Sequence, residues 1–487
     1  MYSIEDTIVA PATGTGGAIS VIRISGPAAL QVVDTIVNFK NGAAQSSEGY
    51  SLKFGCVMDG SEVIDEVLVS IFRNPHSYTG EDSAEISCHA SAYIVSRILE
   101  LCVAAGARMA APGEFTRRAF AAGRMDLAQA EAVADLIASD SAAGHRIAMN
   151  QLRGGYSAEL KVLRDKLLDI TSLMELELDF SEEDVEFADR SRLQTLLDDA
   201  MSRIDRLRNS FKAGNAIKNG VPVAIVGPVN AGKSTLLNSL VGEERAIVSD
   251  IAGTTRDTIE ETVVLDGITY RFIDTAGIRE DAGKIEKIGI ERSLLSLAKA
   301  DVVVAVLDAS SPFDETSKIA SDIINKVTEG QSLVVVRNKV DLFDAINPEE
   351  FPVVDRSYNW FELRYPAFGT YDLSPVDLAA KLGVSKVIDL SAVTGEGLDE
   401  LRAAICSSRS GLASGSEVIV TNQRHLEALN HAAESLLRVR SGLASSTPSD
   451  LLSQDLREAI HHIGEITGEI STDEVLGNIF AKFCIGK

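Results

Sequence analysis

The sequence predicts a multidomain α/β protein, in which an N-terminal α+β domain precedes a helical domain that carries an inserted, doubly wound α/β domain. Three observations predict this arrangement. Strand-like and helix-like runs are mixed up to about residue 120, strands and helices alternate from Pro222 to about residue 408, and helical periodicity fills the stretches on either side of the alternating part. We therefore expect domains at 1–120, 121–217, 218–408 and 409–487, with the second and fourth segments forming one helical domain.

In the first segment, hydrophobic runs between Gly-rich turns predict strands, and longer amphipathic runs predict helices. The expected strands are Ala18–Ile24, Glu66–Phe72 and Ala84–His89, and the expected helices are Ala28–Val37 and Ala92–Ala104.

In the helical segments, Asp126 and Gln129 have the spacing of a capping box, which predicts a helix over Leu127–Ser139. Hydrophobic residues with helical periodicity continue beyond it. The further expected helices are Asn150–Asp179, Arg190–Ala213, Gln423–Leu443 and Asp450–Thr467.

The inserted segment contains β-rich runs separated by helical ones, which is typical of a parallel sheet covered on both faces. The expected strands are Val223–Val226, Thr262–Leu265, Tyr270–Ile273, Asp301–Leu307, Leu333–Val336 and Val387–Leu390.

Composition and charge narrow the kind of protein. Asp and Glu number 71 against 46 Lys and Arg, for a formal charge of −25, and this field repels nucleic acid at long range. An RNA substrate would need a local basic patch or a partner's surface. The five cysteines are scattered without a CxxC pair, the N-terminus lacks a signal-peptide pattern, and no apolar run approaches the roughly 18 residues of a membrane span. We expect a cytoplasmic protein with no membrane partner.

The first motif that indicates chemistry is Gly227–Ser234, which has the spacing GxxxxGKS between a predicted strand and a predicted helix. Its glycines let backbone N–H groups approach phosphates, Lys233 reaches the terminal phosphates, and the Ser234 hydroxyl ligates Mg²⁺. The strand–loop–helix context makes a chance Gly-rich turn a poor alternative, so we predict a nucleoside-triphosphate site.

Three shorter motifs follow in the order found in Ras-like GTPases. Asp274–Gly277 ends a predicted strand and places a carboxylate near Mg²⁺. Asn338–Asp341 ends another strand, and the Asp341 carboxylate can accept both N–H groups of the guanine edge, a donor pair that adenine lacks. Ser391–Ala392, after the last strand, resembles the loop that closes over guanine. Together they predict a GTP-selective P-loop domain.

The segment Gly253–Asp257 has the position of a switch, and Thr255 is the expected second hydroxyl ligand of Mg²⁺. Ras-like proteins carry a water-orienting Gln after the DxxG glycine, but this chain has Ile278 there. A carboxylate such as Glu286 is one substitute, although a solvated surface carboxylate is the alternative interpretation. No arginine finger is identifiable beyond a weak candidate in Arg256.

With both ends of the chain, these motifs resemble the MnmE (TrmE) family of tRNA-modification GTPases over nearly the whole length. The segments that carry the resemblance are Asp6–Ala10, Arg23–Gly26, Tyr78–Asp82, Pro112–Phe120, Asp126–Glu131, Gly253–Asp257, Ile285–Arg292 and Phe483–Lys487.

The resemblance implies a folate-binding N-terminal domain that mediates homodimerisation. It implies a flavoprotein partner, called MnmG or GidA, in a heterotetramer or larger complex. Together the two proteins would add an aminomethyl or carboxymethylaminomethyl group to carbon 5 of the wobble uridine of certain tRNAs. A tetrahydrofolate, 5-formyl- or 5,10-methylene-, would supply the one-carbon unit, and K⁺ and G-domain dimerisation would activate GTP hydrolysis.

The resemblance also implies roles for individual residues. Lys233, Thr255 and Glu286 would be the catalytic residues, with Glu286 orienting the water indirectly. The K⁺ ligands would be Asn230, Ser249, Ile251 and Thr254, on a cation that replaces an arginine finger. The contacts to GTP would be Asn230, Ala231, Gly232, Lys233, Ser234, Thr235, Ser249, Asp250, Ile251, Ala252, Gly253, Thr254, Thr255, Asp274, Thr275, Ala276, Gly277, Asn338, Lys339, Asp341, Ser391 and Ala392.

Folate contacts implied by the resemblance fall on Arg23, Glu85, Arg124 and Lys487, where many family members have Lys in place of Arg124. Cys484 is either a residue with a mechanistic role in the tail or a small buried side chain. The stretch 342–390 is an apparent insertion that has no functional interpretation.

A different class of protein shares several of these motifs. A GTP-dependent switch or ribosome-assembly GTPase would use the same nucleotide site for binding alone. Such proteins typically append an RNA-binding domain with a GXXG loop and a basic surface. The acidic balance of this chain and its Phe-Cys-Ile-Gly-Lys ending favour the modification enzyme.

Overall fold

The computed structural model describes residues 6–14, 16–179, 190–242, 261–273, 297–311, 313–328, 330–343, 375–382, 384–407, 418–445, 447–481, 483 and 486. Two compact units are present. The first comprises Met1–Ala138, Ala148–Arg208 and Gln423–Lys487, and the second comprises Ser139–Ile147 and Asn209–Asn422.

The described strands are, in chain order, Ile8–Pro11 (β1), Ile19–Ser25 (β2), Val37–Phe39 (β3), Ser51–Asp59 (β4), Glu62–Phe72 (β5), Ser83–His89 (β6), Arg108–Met109 (β7), Val221–Val226 (β8), Glu261–Leu265 (β9), Ile268–Phe272 (β10), Val302–Asp308 (β11), Ser332–Asn338 (β12) and Val387–Leu390 (β13).

The described α-helices are Ala29–Ile36 (α1), Ala92–Ala104 (α2), Glu114–Ala121 (α3), Leu127–Ile137 (α4), Ala142–Leu152 (α5), Gly155–Asp179 (α6), Arg190–Asn219 (α7), Lys233–Gly242 (α8), Phe313–Ile324 (α9), Pro375–Leu382 (α10), Leu398–Ser407 (α11), Gln423–Ala444 (α12), Ser449–Thr467 (α13) and Asp473–Phe480 (α14). A 3₁₀ turn spans Val340–Phe343. None of the helices in the described ranges combines the length and the apolar composition that a bilayer crossing requires.

The first unit contains a seven-stranded sheet in the order β3-β4-β5-β6-β2-β1-β7, antiparallel except for the β1–β7 pair. Its strands alternate between buried and more exposed residues, as Val67, Leu68 and Val69 of β5 illustrate. The buried set packs on α1 and α2 in one core, to which α2 contributes Ile98 and Cys102.

The helices of the first unit follow the 3.6-residue period. The α6 helix buries Leu160, Leu163 and Leu167 on one stripe, and α13 packs against both α6 and α12. The predicted capping box is confirmed, because the Asp126 carboxylate accepts from the Gln129 backbone N–H at 2.8 Å and the Gln129 side chain accepts from the Asp126 N–H at 2.9 Å.

The second unit contains a six-stranded sheet in the order β13-β12-β11-β8-β10-β9, parallel except for the β9–β10 pair. Its central strand β11 is buried on both faces. Val304 packs in one core with Leu236 of α8, and Val303 packs in a second core with Leu378 of α10. The predicted α/β class is confirmed, and all six predicted strands of this segment exist with bounds that differ by at most two residues from those expected.

Several elements differ from the sequence prediction, and glycine geometry accounts for three of the differences. The β4 strand was not predicted because Gly55 interrupts it, yet a Cβ at Gly55 would lie 2.6 Å from Val37 Cγ1 on β3, so glycine permits that pairing. Similarly, α7 continues to Asn219, past the end that the sequence predicted. Gly214 within this extension lies against the backbone of Val420, because a Cβ at Gly214 would be 2.1 Å from Val420 O, so the close contact accounts for a glycine inside the helix. The predicted helix Asn150–Asp179 is wrong as one element.

Two helices occupy that stretch. The chain leaves α5 at Arg153 and Gly154, and Gly154 has a left-handed φ of 83°. The strands β1, β3 and β7 were also missed, because runs of two to four residues are too short to establish a period of two.

Candidate nucleotide-binding site

The predicted phosphate loop follows β8 in the second unit. Since β8 lies between the parallel strands β11 and β10, the loop emerges at the carboxyl edge of the sheet, where ligands of such sheets bind. Gly227 begins the loop with φ 155°, and a Cβ there would lie 2.2 Å from Val306 O. The close approach of the loop to β11 therefore requires glycine.

Two left-handed residues shape the rest of the loop. Asn230 has φ 65° and Gly232 has φ 87°, and left-handed residues of this kind let neighbouring backbone N–H groups converge on an anion ahead of α8. A Cβ at Gly232 would lie 2.3 Å from the Asn338 amide nitrogen. Such concave backbone at a helix N-terminus is suited to anions.

Lys233 is the first residue of α8. Its ammonium donates to Gly227 O at 3.0 Å and to Pro228 O at 2.6 Å, which folds the side chain over the loop. Burial lowers the pKa of Lys233, because the charged form loses hydration. A phosphate in the loop would supply the opposite charge that this ammonium lacks among its described contacts. Ser234 and Thr235 follow in the first turn of the helix.

Asn338 joins the phosphate loop to the predicted guanine-closing loop. This side chain is 2% exposed, its amide nitrogen donates to Ala231 O at 2.8 Å, and its amide oxygen accepts from the Ala392 N–H at 3.0 Å. The structure thus brings together three sequence-predicted segments, with separations of 107 residues between Ala231 and Asn338 and 54 residues between Asn338 and Ala392.

Asp341 and Ser391 form the other side of this region. The Ser391 hydroxyl donates to Asp341 Oδ1 at 2.6 Å and accepts from the Thr394 N–H at 3.2 Å. One carboxylate oxygen of Asp341 is thereby fixed by the neighbouring loop. We call residues 338–341 and 391–397 the two base loops.

The two base loops are supported by three residues that the sequence did not indicate, namely Asp308, Ser310 and Ser239. Lys339, with a left-handed φ of 70°, pairs through its ammonium with Asp308 at the end of β11, at 2.6 Å. Burial alone would raise the pKa of Asp308, but hydrogen bonds from Lys339 and Ser310 outweigh it and lower that pKa. The Ser239 hydroxyl on α8 donates to Ala392 O at 2.7 Å. The position of Asp308 at the carboxyl end of a central strand was the available signal for this residue.

Several predicted site residues lie outside the described residues, so their predicted roles stay predictions. They are Ser249, Asp250, Ile251, Ala252, Gly253, Thr254, Thr255, Asp274, Thr275, Ala276, Gly277, Glu286, Cys484 and Lys487.

A second group of predicted residues meets in the first unit. Arg23 of β2 and Glu85 of β6 are direct cross-strand neighbours, and the Arg23 guanidinium pairs with Glu85 Oε1 at 2.9 and 2.8 Å. The guanidinium lies 5.1 Å from the Tyr78 ring centroid and 5.7 Å from that of Phe115. The remaining Arg23 amine donates to Gly486 O at 3.3 Å.

This contact places Gly486 against the sheet. A Cβ at Gly486 would lie 2.0 Å from Pro11 O, which explains a glycine at that position. Arg124 is exposed, and it lies beside Gly80, the residue two positions after Tyr78. A Cβ built at Gly80 would be 3.4 Å from Arg124 Cγ. The sheet thus offers a guanidinium and a carboxylate side by side.

Comparison with known proteins gives matches along the whole chain. The family profile described as the MnmE helical domain matches residues 127–484, and the profile of the GTP-binding protein TrmE N-terminus matches residues 7–124. The tRNA modification GTPase MnmE of Bacteroides thetaiotaomicron is 51% identical over 486 residues, which cover 99% of this chain and 100% of that protein. The protein of the same name from Flavobacterium johnsoniae is 46% identical over 488 residues, with 99% of each chain covered.

Two solved structures that match cover only part of this chain. The G domain of the T. maritima FeoB iron transporter matches 39% of this chain and 98% of its own, at 24% identity and a TM-score of 0.25. A TM-score this low supports no argument about the present chain.

Proposed function

Since the chain belongs to the MnmE family of tRNA modification GTPases and is a GTP hydrolase, we propose that it couples potassium-activated GTP hydrolysis to modification of carbon 5 of the wobble uridine in certain tRNAs. The group added is aminomethyl or carboxymethylaminomethyl. The flavoprotein MnmG (GidA) is the proposed partner, in a heterotetramer or larger complex with a homodimer of this chain.

The observation that carries the GTP-binding part is the double hydrogen bond of Asn338. One buried amide holds Ala231 in the phosphate loop and Ala392 in a base loop, so the two ends of a nucleotide would be gripped by parts of one connected framework. In this framework Asp341 has an oxygen fixed by Ser391, as a carboxylate that reads the guanine edge requires.

The described residues of the phosphate loop fit the phosphates of a nucleoside triphosphate and its Mg²⁺. The left-handed backbone at Asn230 and Gly232 forms an anion cradle, and the half-buried Lys233 ammonium would leave its two carbonyl acceptors for the β- and γ-phosphates. The Ser234 hydroxyl would hold Mg²⁺ together with Thr255. Mg²⁺ supplies neutralisation of phosphate charge when bound.

The hydrolysis step needs groups that the Ras pattern lacks at Ile278. We propose that Glu286 orients the attacking water indirectly and that K⁺ replaces an arginine finger. Asn230, which is exposed and left-handed at the rim of the phosphate loop, is the described residue among the proposed K⁺ ligands. The others are Ser249, Ile251 and Thr254.

For the one-carbon unit we propose a tetrahydrofolate, bound at the sheet of the first unit. The Arg23 guanidinium and Glu85 carboxylate fit such a ligand chemically, because folates carry both carboxylates and a pterin N–H edge. Arg124 and Lys487 complete the proposed contacts. Cys484 belongs to the same tail, and we propose no single role for it.

The proposed organisation is a folate-binding and dimerisation domain at 1–120, a helical domain from 121–217 and 409–487, and a GTPase domain at 218–408. The proposed location is the cytoplasm. A GTP-dependent switch or ribosome-assembly GTPase would share the nucleotide site but would leave tRNA nucleosides unchanged.

Nucleoside analysis of tRNA from a deletion strain distinguishes these functions. We expect the wobble modification to disappear in the deletion strain, to return with the wild-type chain, and to stay absent with Lys233→Ala. Lys386→Ala, which removes an exposed ion pair with Glu400, is the matched control and should restore the modification fully. An unmodified profile in the wild-type strain itself, or an unchanged profile after deletion, would refute the proposed reaction.

A further inference from the structure

We infer that the ion pair between Arg337 and Asp389 positions the two base loops for guanine selectivity. Neither residue belongs to one of the nucleotide motifs that the sequence predicts. The inference rests on the proposed guanine-binding role of Asn338 and Asp341, and it adds two positioning residues to that site.

The ion pair has a fixed geometry, and we call Arg337 and Asp389 the clamp. Arg337 Nε donates to Asp389 Oδ1 at 2.7 Å, and Arg337 Nη2 donates to Asp389 Oδ2 at 2.6 Å. This bidentate arrangement fixes both distance and orientation, which a single lysine contact would not do. The Arg337 side chain is only 3% exposed and that of Asp389 is 31% exposed, so the arginine side of the pair is shielded from solvent while the carboxylate is partly accessible.

The pair joins the strands that end in the two base loops. Arg337 on β12 and Asp389 on β13 face each other in a parallel register, and the next residue on β12 is Asn338. The base loops therefore begin one and two residues after the clamp. A sideways shift of β13 would move Ser391 relative to Asp341, whose mutual hydrogen bond is 2.6 Å long.

The backbone of Asp389 also contacts the end of the second base loop, residues 391–397. The Ser391 N–H donates to Glu396 O at 3.0 Å, and this bond closes the loop. A Cβ at Gly397 would lie 2.1 Å from Asp389 O, so the end of the loop returns directly onto the residue that Arg337 holds. A change in Asp389 is thereby transmitted to both ends of residues 391–397.

A purely structural role is the competing explanation. The β13 strand has four residues and lies at the edge of the sheet, so the pair could serve only to keep that strand attached. The two explanations differ in one measurable quantity. If the pair only attaches the edge strand, its loss lowers thermal stability and leaves base preference unchanged. If it positions the base loops, its loss also lowers the affinity for guanine relative to a base that lacks one of guanine's N–H donors.

The test uses the purified full-length chain and competition of GDP and IDP against a fluorescent GDP analogue. Hypoxanthine keeps N1–H but lacks the 2-amino group, so the ratio of the two affinities reports how well Asp341 is aimed. We expect Asp389→Asn and Arg337→Lys to lower the GDP/IDP affinity ratio by about tenfold, as a hydrogen bond to a charged acceptor becomes misaligned. Asp389→Glu should recover part of the ratio.

The control is Lys386→Ala, which breaks an exposed pair beside the same strand and should leave the ratio at its wild-type value. If a single variant fails to fold, the double variant Arg337→Met/Asp389→Leu removes both charges and leaves neither unpaired. Folded variants with lower melting temperature but an unchanged ratio would overturn the inference. A wild-type chain that does not distinguish GDP from IDP would instead refute the proposed guanine site.

Discussion

Replacing Asn338 with alanine would test the framework that joins the phosphate loop to the base loops. Asn338 is 2% exposed, and its side chain makes both the bond to Ala231 O and the bond from the Ala392 N–H. Asn338→Ala leaves two buried backbone groups without partners, each at a cost of about 1–3 kcal/mol. We therefore expect local destabilisation of about 2–6 kcal/mol.

The same change should weaken nucleotide binding. If only the lower value of about 2 kcal/mol is expressed in binding, the affinity for GDP falls by roughly 30-fold. Hydrogen-exchange mass spectrometry of peptides covering the phosphate loop and residues 391–397 measures the local opening, and calorimetry measures the affinity. Asn238→Ala, at an exposed position of α8, is the matched control. Local opening and GDP affinity equal to those of the wild type would refute the bridging role of Asn338.

Three other predictions follow from the proposed sites. Replacing Na⁺ with K⁺ should raise the GTP turnover rate several-fold or more, whereas equal rates in a steady-state phosphate-release assay would remove the proposed cation role of Asn230. Arg23→Ala should weaken binding of 5-formyltetrahydrofolate by at least about tenfold in calorimetry, because it removes the only described cation paired with Glu85; an unchanged affinity would place folate elsewhere. In the helical part of the first unit, burial alone would raise the pKa of Glu131, but His425 and Arg424 outweigh it and lower that pKa from 4.5 to about 2. Because the folded pKa is depressed, the stabilisation is complete above about pH 4.5 and is lost as the pH falls toward 2. The melting temperature of Glu131→Gln should therefore lie below that of the wild type near pH 6, and the difference between the two melting temperatures should narrow in acid. A difference that does not change with pH would contradict the pairing of Glu131 with His425 and Arg424.

Sequence patterns predicted the α/β unit well because its central strands β8, β11 and β12 are buried on both faces and end in recognisable loops. The residues from Val302 to Leu307 are all apolar, and Gly227–Ser234 has fixed spacing, so both could be placed without knowledge of pairing. Contacts within the candidate site, such as that from Ser391 to Asp341, also lay within motifs already identified.

Pairings between distant residues could not be predicted in the same way. Arg337 and Asp389 are 52 residues apart, and their contact depends on the register of β12 against β13, which no local pattern specifies. The same limit applies to Asp308, whose partner Lys339 lies on the next strand's loop. In a strongly acidic chain, single carboxylates of this kind look like surface charges until the fold brings a cation to them.

The central claim is that residues 227–234, 338–341 and 391–397 form one guanine-nucleotide site. Calorimetric titration of the purified, nucleotide-free chain with GDP and with ADP, in the presence of Mg²⁺, tests it most directly. We predict that GDP binds at one site per chain and that ADP binds at least about a hundredfold more weakly, because adenine lacks the donor pair that Asp341 accepts. Equal affinities for GDP and ADP, or no binding of GDP, would contradict it.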